Sequence, residues 1–386
     1  MRDGWEIKKL GDVCESDLGK TLNQATDTGE LQPYLCAINV LWDRIELSTV
    51  KQTKFEKSEM ERYSVRKGDL LICEGGDIGR AAIWGKEEPM LYQNALHRVR
   101  FDGSVLPRFC LLYLRSLKDA GILDSRYGKG VTIKHLVKSS LLSIPIPVPP
   151  LSEQERIVAE LDCLSSIIEK QKQQLKEYDT LAQSIFYDMF GDPITNDKGW
   201  EIKKLEEVCE SDLGKTLNKS IDTGDLLPYL CSINVLWGKV ELSVLKEARF
   251  EPTEIERYSV KKGDLLVCEG GDIGRAAIWE SDSSMLYQNA LHRLRFKGTI
   301  LPIYCLFNLK HLKDCGDLDS KYGKGVTIKH LVKSSLYSIP IPVPPLTLQQ
   351  QFAEKIEAIE KQKAILKKNI EETELLFNSR MDYYFN

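Results

Sequence analysis

The chain has 386 residues, a formal net charge of −4 and 42% hydrophobic residues, which is typical of a soluble globular protein of about two or three domains. No apolar run is long enough to cross a bilayer and the first residues contain no hydrophobic signal core, so we expect a cytoplasmic protein with no membrane partner. The 10 cysteines form no C-x-x-C pair, which argues against a zinc site or a disulfide framework and predicts reduced, mostly buried thiols.

A long internal repeat organises the chain. Residues 5–150 recur at 200–345 without insertion or deletion, so that Trp5 returns as Trp200 at an offset of 195 (200 minus 5). A repeat of this length forms a domain rather than one unit of a solenoid. The sequence therefore predicts two like domains, each followed by a segment of another kind, with the bounds 1–150, 151–192, 193–345 and 346–386.

Each repeat mixes short β-rich runs, separated by glycine turns, with helical segments. The predicted strands include 70–73, 80–84 and 95–101. The predicted helices are 57–63, 107–121 and 132–140, the last capped by Thr132. No βαβ alternation is visible, so we expect an α+β domain with a mostly antiparallel, irregular sheet.

The segment after the first repeat predicts one long amphipathic helix over residues 152–190. Ser152 and Glu155 match a capping box, and the prolines of IPIPVPP argue against an earlier start. The apolar positions follow the 4-3 spacing of a coiled-coil seam, with Gln171 as the polar exception. They include Ile157, Leu161, Leu164, Ile168, Leu175 and Ile185.

The segment after the second repeat has the same spacing to the end of the chain. Its apolar positions include Phe352, Ile356, Ile359, Leu366, Ile370 and Phe377. Each helix must bury its stripe, either on its own globular domain or on the other helix. The stripe is narrow, which favours pairing of the two helices into an antiparallel coiled coil.

Several sequence patterns resemble catalytic motifs but fail on spacing. Lys20 follows Gly19 as in a P-loop, but Cys14 stands where that loop needs a glycine. The GGDIG run at 75–79 lacks dinucleotide-binding spacing and indicates a glycine-rich turn. No metal-ligand cluster or nucleophile motif is present. The sequence therefore predicts a chain without catalytic residues or a metal.

Positive charge is concentrated in one place in each repeat, although the chain as a whole is acidic. The stretch from Ser125 to Leu142 contains no Asp or Glu, and the helix predicted to begin at Thr132 would present free N–H groups to a phosphate. The alternative for this stretch is a solvated helix face next to a turn, and the alternative for residues 92–94 is an ordinary strand. We expect DNA contacts here, with amide and aromatic side chains as readers of base edges. The candidates are Lys20, Arg80, Tyr92, Gln93, Asn94, Arg126, Tyr127, Lys129, Thr132 and Lys134, and in the second repeat Lys215, Arg275, Tyr287, Gln288, Asn289, Lys321, Tyr322, Lys324, Thr327 and Lys329.

Three motifs occur in the same order in both halves. Each half begins with WEIKKL, continues with CEGGDIGRAAIW and closes with SIPIPVPPL directly before the long helix. This arrangement closely resembles the specificity (S) subunit of type I restriction-modification systems, along essentially the whole chain. The resemblance implies two target-recognition domains that each read half of a bipartite site in double-stranded DNA, separated by two long helices that form an antiparallel coiled coil.

The same resemblance implies a non-catalytic chain that binds no cofactor itself. Two modification (methyltransferase) subunits would supply S-adenosylmethionine, and restriction subunits would supply ATP and Mg²⁺ chemistry. Two other functions stay open from the residues alone, namely a duplicated nuclease or methyltransferase that acts by itself, and an adaptor whose coiled coil and repeats bind protein rather than DNA.

The chain departs from the family pattern in two respects. The second helix begins TLQQQ where the first has SEQER, so its cap and some partner contacts differ. The two repeats are also nearly alike, which implies like half-sites and hence a palindromic, interrupted target. Residues 1–195 hold one domain and one whole helix, so a further hypothesis is a fused pair of equivalent half-subunits that associate with twofold symmetry.

Overall fold

A computed structural model describes residues 5–23, 25, 27–218 and 220–385. The chain divides into two compact units, of which the first comprises 1–172 with 368–386 and the second comprises 173–367. Each unit therefore combines one sequence repeat with a part of each of two long helices.

The predicted strands at 70–73, 80–84 and 95–101 and the predicted helices at 57–63 and 107–121 are present in the first repeat. Its strands are β1 (Glu6–Lys9), β2 (Cys14–Leu18), β3 (Glu30–Leu35), β4 (Val40–Leu41), β5 (Arg44–Ile45), β6 (Lys51–Phe55), β7 (Ser64–Val65), β8 (Leu70–Cys73), β9 (Ala81–Ile83), β10 (Met90–Tyr92), β11 (Leu96–Phe101) and β12 (Pro145–Val148). Its helices are α1 (Lys57–Arg62), α2 (Pro107–Asp119) and α3 (Lys138–Leu142), and α4 (Leu151–Phe190) follows.

The strands of the first repeat form two four-stranded sheets and two short ribbons. The sheets have the orders β6-β3-β10-β7 and β2-β11-β8-β9, and the ribbons pair β1 with β12 and β4 with β5. Only the pairing of β10 with β3 is parallel among these strands, so the predicted, mostly antiparallel arrangement is confirmed. All four side chains of β8 are buried, which places this strand at the centre of the domain.

The second repeat has the same topology. Its strands are β13 (Glu201–Lys204), β14 (Cys209–Leu213), β15 (Asp225–Leu230), β16 (Val235–Leu236), β17 (Lys239–Val240), β18 (Lys246–Phe250), β19 (Ser259–Val260), β20 (Leu265–Cys268), β21 (Ala276–Ile278), β22 (Met285–Tyr287), β23 (Leu291–Phe296) and β24 (Pro340–Val343). Its helices are α5 (Leu205–Val208), α6 (Pro252–Ile255), α7 (Pro302–Asp314) and α8 (Lys333–Tyr337), and α9 (Leu346–Phe385) completes the fold.

The two long helices pack against each other in an antiparallel sense within each unit. In the first unit, Ile157 near the start of α4 shares an apolar cluster with Phe377 and Met381 near the end of α9. In the second unit, Phe186 near the end of α4 shares a cluster with Phe352 near the start of α9. The helices also pack on the globular part of their unit, because the same clusters contain core residues of the repeats. The apolar stripes are therefore buried both against the other helix and against the globular domain.

The predicted seam positions are buried to different degrees. Those that are buried are Ile157, Leu161, Phe352, Ile356, Ile359, Leu366, Ile370 and Phe377, and those that are half-buried are Leu164, Ile168, Leu175 and Ile185. The sequence reading overlooked Phe186, whose ring packs against Phe190, Tyr304, Phe307 and Phe352.

Two predicted helix starts are wrong. The helix predicted over 132–140 is only α3, because Lys129 and His135 pair through their backbones and Gly130 adopts a positive φ of 108°. The capping box at Ser152 is also absent, since α4 begins at Leu151, one residue earlier. The N–H groups of the next residues bond instead to the carbonyl of Pro150, so Ser152 lies inside the first turn.

Candidate nucleic-acid interface

The acid-free stretch of each repeat folds into a tight hairpin, residues 129–135 and 324–330, which we call the basic hairpin. In the first copy, the N–H of Lys129 donates to the carbonyl of His135, and the N–H of His135 donates back, each at 2.8 Å. Gly130 permits the turn, because a Cβ there would lie 2.2 Å from the carbonyl oxygen of Ile133. The side chain of Val131 at the tip is 99% exposed and that of Ile133 is 62% exposed.

The second copy of the basic hairpin repeats this geometry. Lys324 and His330 exchange the same two backbone hydrogen bonds at 2.8 Å, and Val326 is 99% exposed. Single exposed apolar side chains are common on monomeric proteins, but a group of them usually marks a binding site. Here the exposed residues occur together and at matched positions of both repeats.

The base of the hairpin is held by a buried histidine. His97 on β11 has no exposed surface, and its Nε2 lies 2.7 Å from the carbonyl oxygen of Leu136. Burial lowers the pKa of His97, against the opposing effect of this hydrogen bond, so the ring is neutral near pH 7. A carbonyl can only accept, and Nε2 therefore carries the proton. His292 holds Leu331 in the same way at 2.7 Å, and burial lowers its pKa to about 4.

Backbone hydrogen bonds bring three loops of each repeat side by side. The N–H of Glu74 donates to the carbonyl of Ala95 at 3.0 Å, and the N–H of Leu136 donates to the carbonyl of Glu74 at 2.7 Å. The loop that carries Asn94, the glycine turn at 75–79 and the basic hairpin are thus neighbours. The sequence identified the first and the third as candidates but interpreted the glycine turn only as a turn.

The cationic side chains of these three loops, which we call the loop cluster, differ in solvent exposure and in ion pairing. Arg126 and Lys129 are exposed and Lys134 is half-buried. In the second repeat Lys324 is exposed, but Lys321 lies 2.6 Å from the carboxylate of Asp317. Tyr127 and Tyr322 are half-buried and pack against the cores of their units. Thr132 and Thr327 are exposed on the hairpin and begin no helix.

Four candidates are corrected because their side chains point inward. The ammonium of Lys20 is buried, 2.6 Å from Glu59 and 2.9 Å from the carbonyl of Lys54. Tyr92 is fully buried, and its hydroxyl donates to the carbonyl of Asp17 at 3.3 Å. Their counterparts Lys215 and Tyr287 are buried in the same manner. These groups bond within the domain and lie away from its surface.

The remaining candidates are half-buried and have protein partners of their own. Arg80 donates to the carbonyl of Ala37 at 2.6 Å, and Arg275 donates to the carbonyl of Ser232 at 2.7 Å. The amide of Asn94 donates to the hydroxyl of Thr21 at 3.2 Å, and that of Asn289 to Thr216 at 3.1 Å. The amide oxygens of these asparagines are the groups left for a ligand. Gln93 and Gln288 are half-buried beside them.

The described part of the chain offers little for other chemistry. Among residues 5–23, 25, 27–218 and 220–385, no group of three His, Cys, Asp or Glu side chains is arranged to hold a metal ion. The matched thiols are mostly buried, as predicted, whereas Cys163 and Cys315 are exposed. None of the helices in these ranges has a stretch long and apolar enough to span a bilayer.

A duplicated α+β domain, a pair of antiparallel long helices and a basic loop cluster on each repeat define the class of protein. Residues 2–177 and 197–375 match the family of the type I restriction modification DNA specificity domain. The chain belongs to this family.

Known relatives agree with this assignment. The MjaVIII specificity subunit of a type I restriction enzyme from Methanocaldococcus jannaschii is 23% identical over 393 residues, which cover 96% of this chain and 90% of that protein. The EcoBI specificity subunit of Escherichia coli is 26% identical and covers 78% of this chain and 68% of its own length.

Solved structures share the fold. A chain from a study of complex assembly and conformational transition in a type I restriction-modification system has a TM-score of 0.66 at 18% identity, with 100% of this chain and 98% of that chain covered. The S subunit from M. genitalium has a TM-score of 0.56 at 14% identity, with 99% and 96% covered.

Proposed function

We propose that this chain is the DNA sequence-recognition subunit of a type I restriction-modification complex and that each repeat reads one half of a bipartite target. The observation that carries the proposal is the basic hairpin, which presents an exposed apolar tip between cations at the same place in both repeats. A double-stranded site with two like halves is a ligand that matches two like hairpins.

The charges of the hairpin support DNA as the ligand despite the net charge of −4. Phosphate contacts need local cations rather than an overall basic protein, and they determine affinity without reading sequence. Lys129 and Arg126 have exposed side chains for this role. The apolar side chains of Val131 and Ile133 suit contact with thymine methyl groups in the major groove, or with base edges of the minor groove.

The two hairpins are identical in sequence. Residues 127–135 and 322–330 both read YGKGVTIKH, and Asn94 recurs as Asn289. Side chains of the same identity and geometry recognise the same bases. We therefore propose that the half-sites are alike and that the target is an interrupted palindrome.

Partner subunits supply the chemistry in this proposal. Two modification subunits bind S-adenosylmethionine and methylate adenine, and restriction subunits use ATP and Mg²⁺, while this chain scaffolds them on DNA and catalyses nothing. An adaptor that binds only protein is the alternative. Purified chain mixed with S-adenosylmethionine or Mg²⁺ and DNA is expected to show no turnover.

The test uses the full chain purified with its co-encoded modification subunit and a duplex that contains the methylated site mapped in the host genome. We expect the Val131→Ser and Val326→Ser double variant to fold normally, because both side chains are almost fully exposed, and to bind this duplex at least about tenfold more weakly. Val244→Ser is the matched control, since Val244 is 62% exposed outside the hairpins. Unchanged DNA binding by the double variant would contradict the assigned interface, and a complex that binds no DNA would favour the adaptor.

A further inference from the structure

A polar network joins the two long helices in the first unit. The guanidinium of Arg380 on α9 donates to the carboxylate of Glu160 on α4, with its Nη2 at 3.0 Å from Oε2. The hydroxyl of Tyr384 donates to the same oxygen at 2.6 Å. Arg156 in turn donates to the Tyr384 hydroxyl at 3.1 Å. One carboxylate on the first helix is therefore recognised by two side chains of the second.

The equivalent place in the second unit has different chemistry. At the repeat offset of 195, Lys355 stands for Glu160, Ile185 stands for Arg380, and Met189 stands for Tyr384. The second unit uses aromatic contacts instead, with the rings of Phe186 and Phe352 centred 5.6 Å apart. The two ends of the helical pair thus occupy matching positions of the repeat but carry different side chains.

The apolar positions of the seam have diverged in a complementary way. The cluster of the first unit combines the smaller Ile157 of α4 with the large Phe377 of α9. The cluster of the second unit combines the small Ala182 of α4 with the large Phe352 of α9. At this matched pair of positions the larger side chain comes from α9 in both units, although α4 also contributes Phe186 to the second cluster.

We infer that the side chains at this seam are complementary between α4 and α9. They disfavour the pairing of either helix with a second copy of itself. If α4 paired with a second α4 in the same register, Glu160 would face Ile185 and Met189 in place of Arg380 and Tyr384. A partly buried carboxylate would then lose Arg380 and keep only the longer contact with Arg156 at 3.4 Å, and Ala182 would stand in place of Phe377 near Ile157, which removes apolar volume at this position.

Pairing of α9 with a second α9 fails for the opposite reasons. Arg380 would face Lys355, which places like charges together, and the large Phe352 and Phe377 would enter one cluster. The divergence thus discriminates against both self-pairings by charge and by size. It also argues that the two halves of the chain are no longer equivalent, despite their near-identical globular repeats. This inference goes beyond the proposed function and does not depend on DNA reading.

The charge complementarity between α4 and α9 is tested in the full chain by a double-mutant cycle. Glu160→Lys alone recreates the like-charge contact of α9 self-pairing. Arg380→Ile alone leaves the Glu160 carboxylate without Arg380, as in α4 self-pairing. Each single variant should lower the midpoint of thermal unfolding by about 2–4 °C. The double variant recreates the combination that the second unit already uses, Lys355 with Ile185, and should recover at least half of the summed loss.

The control is Glu372→Lys, a charge reversal at an exposed position of α9 whose ion-pair partner among the described residues is its own helix neighbour Lys368 at 3.6 Å. It should leave the midpoint unchanged. A second cycle, Phe377→Ala with Ile157→Phe, applies the same logic to size and decides the question if a charge variant fails to fold. Additive losses without recovery in the double variants would overturn the inference.

Discussion

The side-chain oxygen of Gln154 accepts a hydrogen bond from the backbone N–H of Leu106 at 2.8 Å, and this bond ties the first turn of α4 to the start of α2. The amide nitrogen of Gln154 donates to the carbonyls of Ser104 and Pro149, each at 2.9 Å, and the side chain is fully buried. Gln349 makes the same three bonds at the start of α9. Each long helix is thus hydrogen-bonded to its domain by one buried glutamine, in addition to the apolar contacts.

Gln154→Ala should lower the free energy of unfolding by roughly 3 kcal/mol, because three backbone groups lose their partner in a site closed to water. Denaturant unfolding measures the change, and Gln349→Ala should cost about as much. Gln173→Ala on the exposed face of α4 is the matched control and should change stability by less than about 0.5 kcal/mol. Equal midpoints for Gln154→Ala and the control would refute this role.

Lys129→Ala combined with Lys324→Ala should weaken DNA binding of the assembled complex about equally on all sequences. Each exposed ammonium that neutralises a phosphate releases about one counterion, so the slope of affinity against salt should fall by roughly one per lysine. Filter binding at several salt concentrations measures the slope. Lys20→Ala is the contrasting variant, since its buried ion pair with Glu59 predicts a loss of stability instead. A steep slope retained by the double variant would exclude phosphate contacts.

Asn94→Ala should change specificity rather than general affinity. Its amide nitrogen bonds to Thr21, and its oxygen remains available for a base edge. We expect preference at one position of the half-site to relax, at a cost of about 1–3 kcal/mol on the cognate duplex only. Binding to a set of single-base variants of the target measures this. Thr21→Val keeps Asn94 but removes its partner, and should have a smaller effect. Identical selectivity in wild type and Asn94→Ala would remove this residue from the interface.

Stability should fall as the pH is lowered through the window set by the buried histidines. The folded pKa of His292 is about 4, below its ordinary value of 6.5, so only the unfolded chain binds this proton between those values. The contribution of His292 is complete above pH 6.5 and decreases by up to about 1.4 kcal/mol per pH unit until about pH 4. His97, with its pKa lowered for the same reason, acts in the same direction.

Denaturant unfolding at pH 7 and pH 5 tests this linkage. His292→Gln keeps a donor for the Leu331 carbonyl but cannot take up the proton, and should reduce the pH dependence. His330→Gln is the control because that ring is exposed on the basic hairpin. A pH dependence equal in all three proteins would show that other groups cause it.

Local periodicity and the internal repeat were sufficient to predict several features of the fold. The offset between Trp5 and Trp200 predicts two like domains, and the 4-3 spacing from Ile157 onward predicts α4 almost to the residue. Strand β8 and helix α2 also lie where the apolar runs place them. Such patterns report which residues share a face of an element, and that information is contained in neighbouring positions.

Which polar groups face solvent and which distant segments are in contact could not be predicted from local patterns. Lys20 and Lys129 both stand next to glycines in the sequence. Lys20 is buried in an ion pair with Glu59, whereas Lys129 is exposed. The helix expected at Thr132 gives way to a hairpin because backbone hydrogen bonds between Lys129 and His135 replace helical ones. Gln154 and the hydrogen bonds through Glu74 connect residues far apart in the chain. Contacts of this kind depend on how distant segments pack, and no local pattern records that packing.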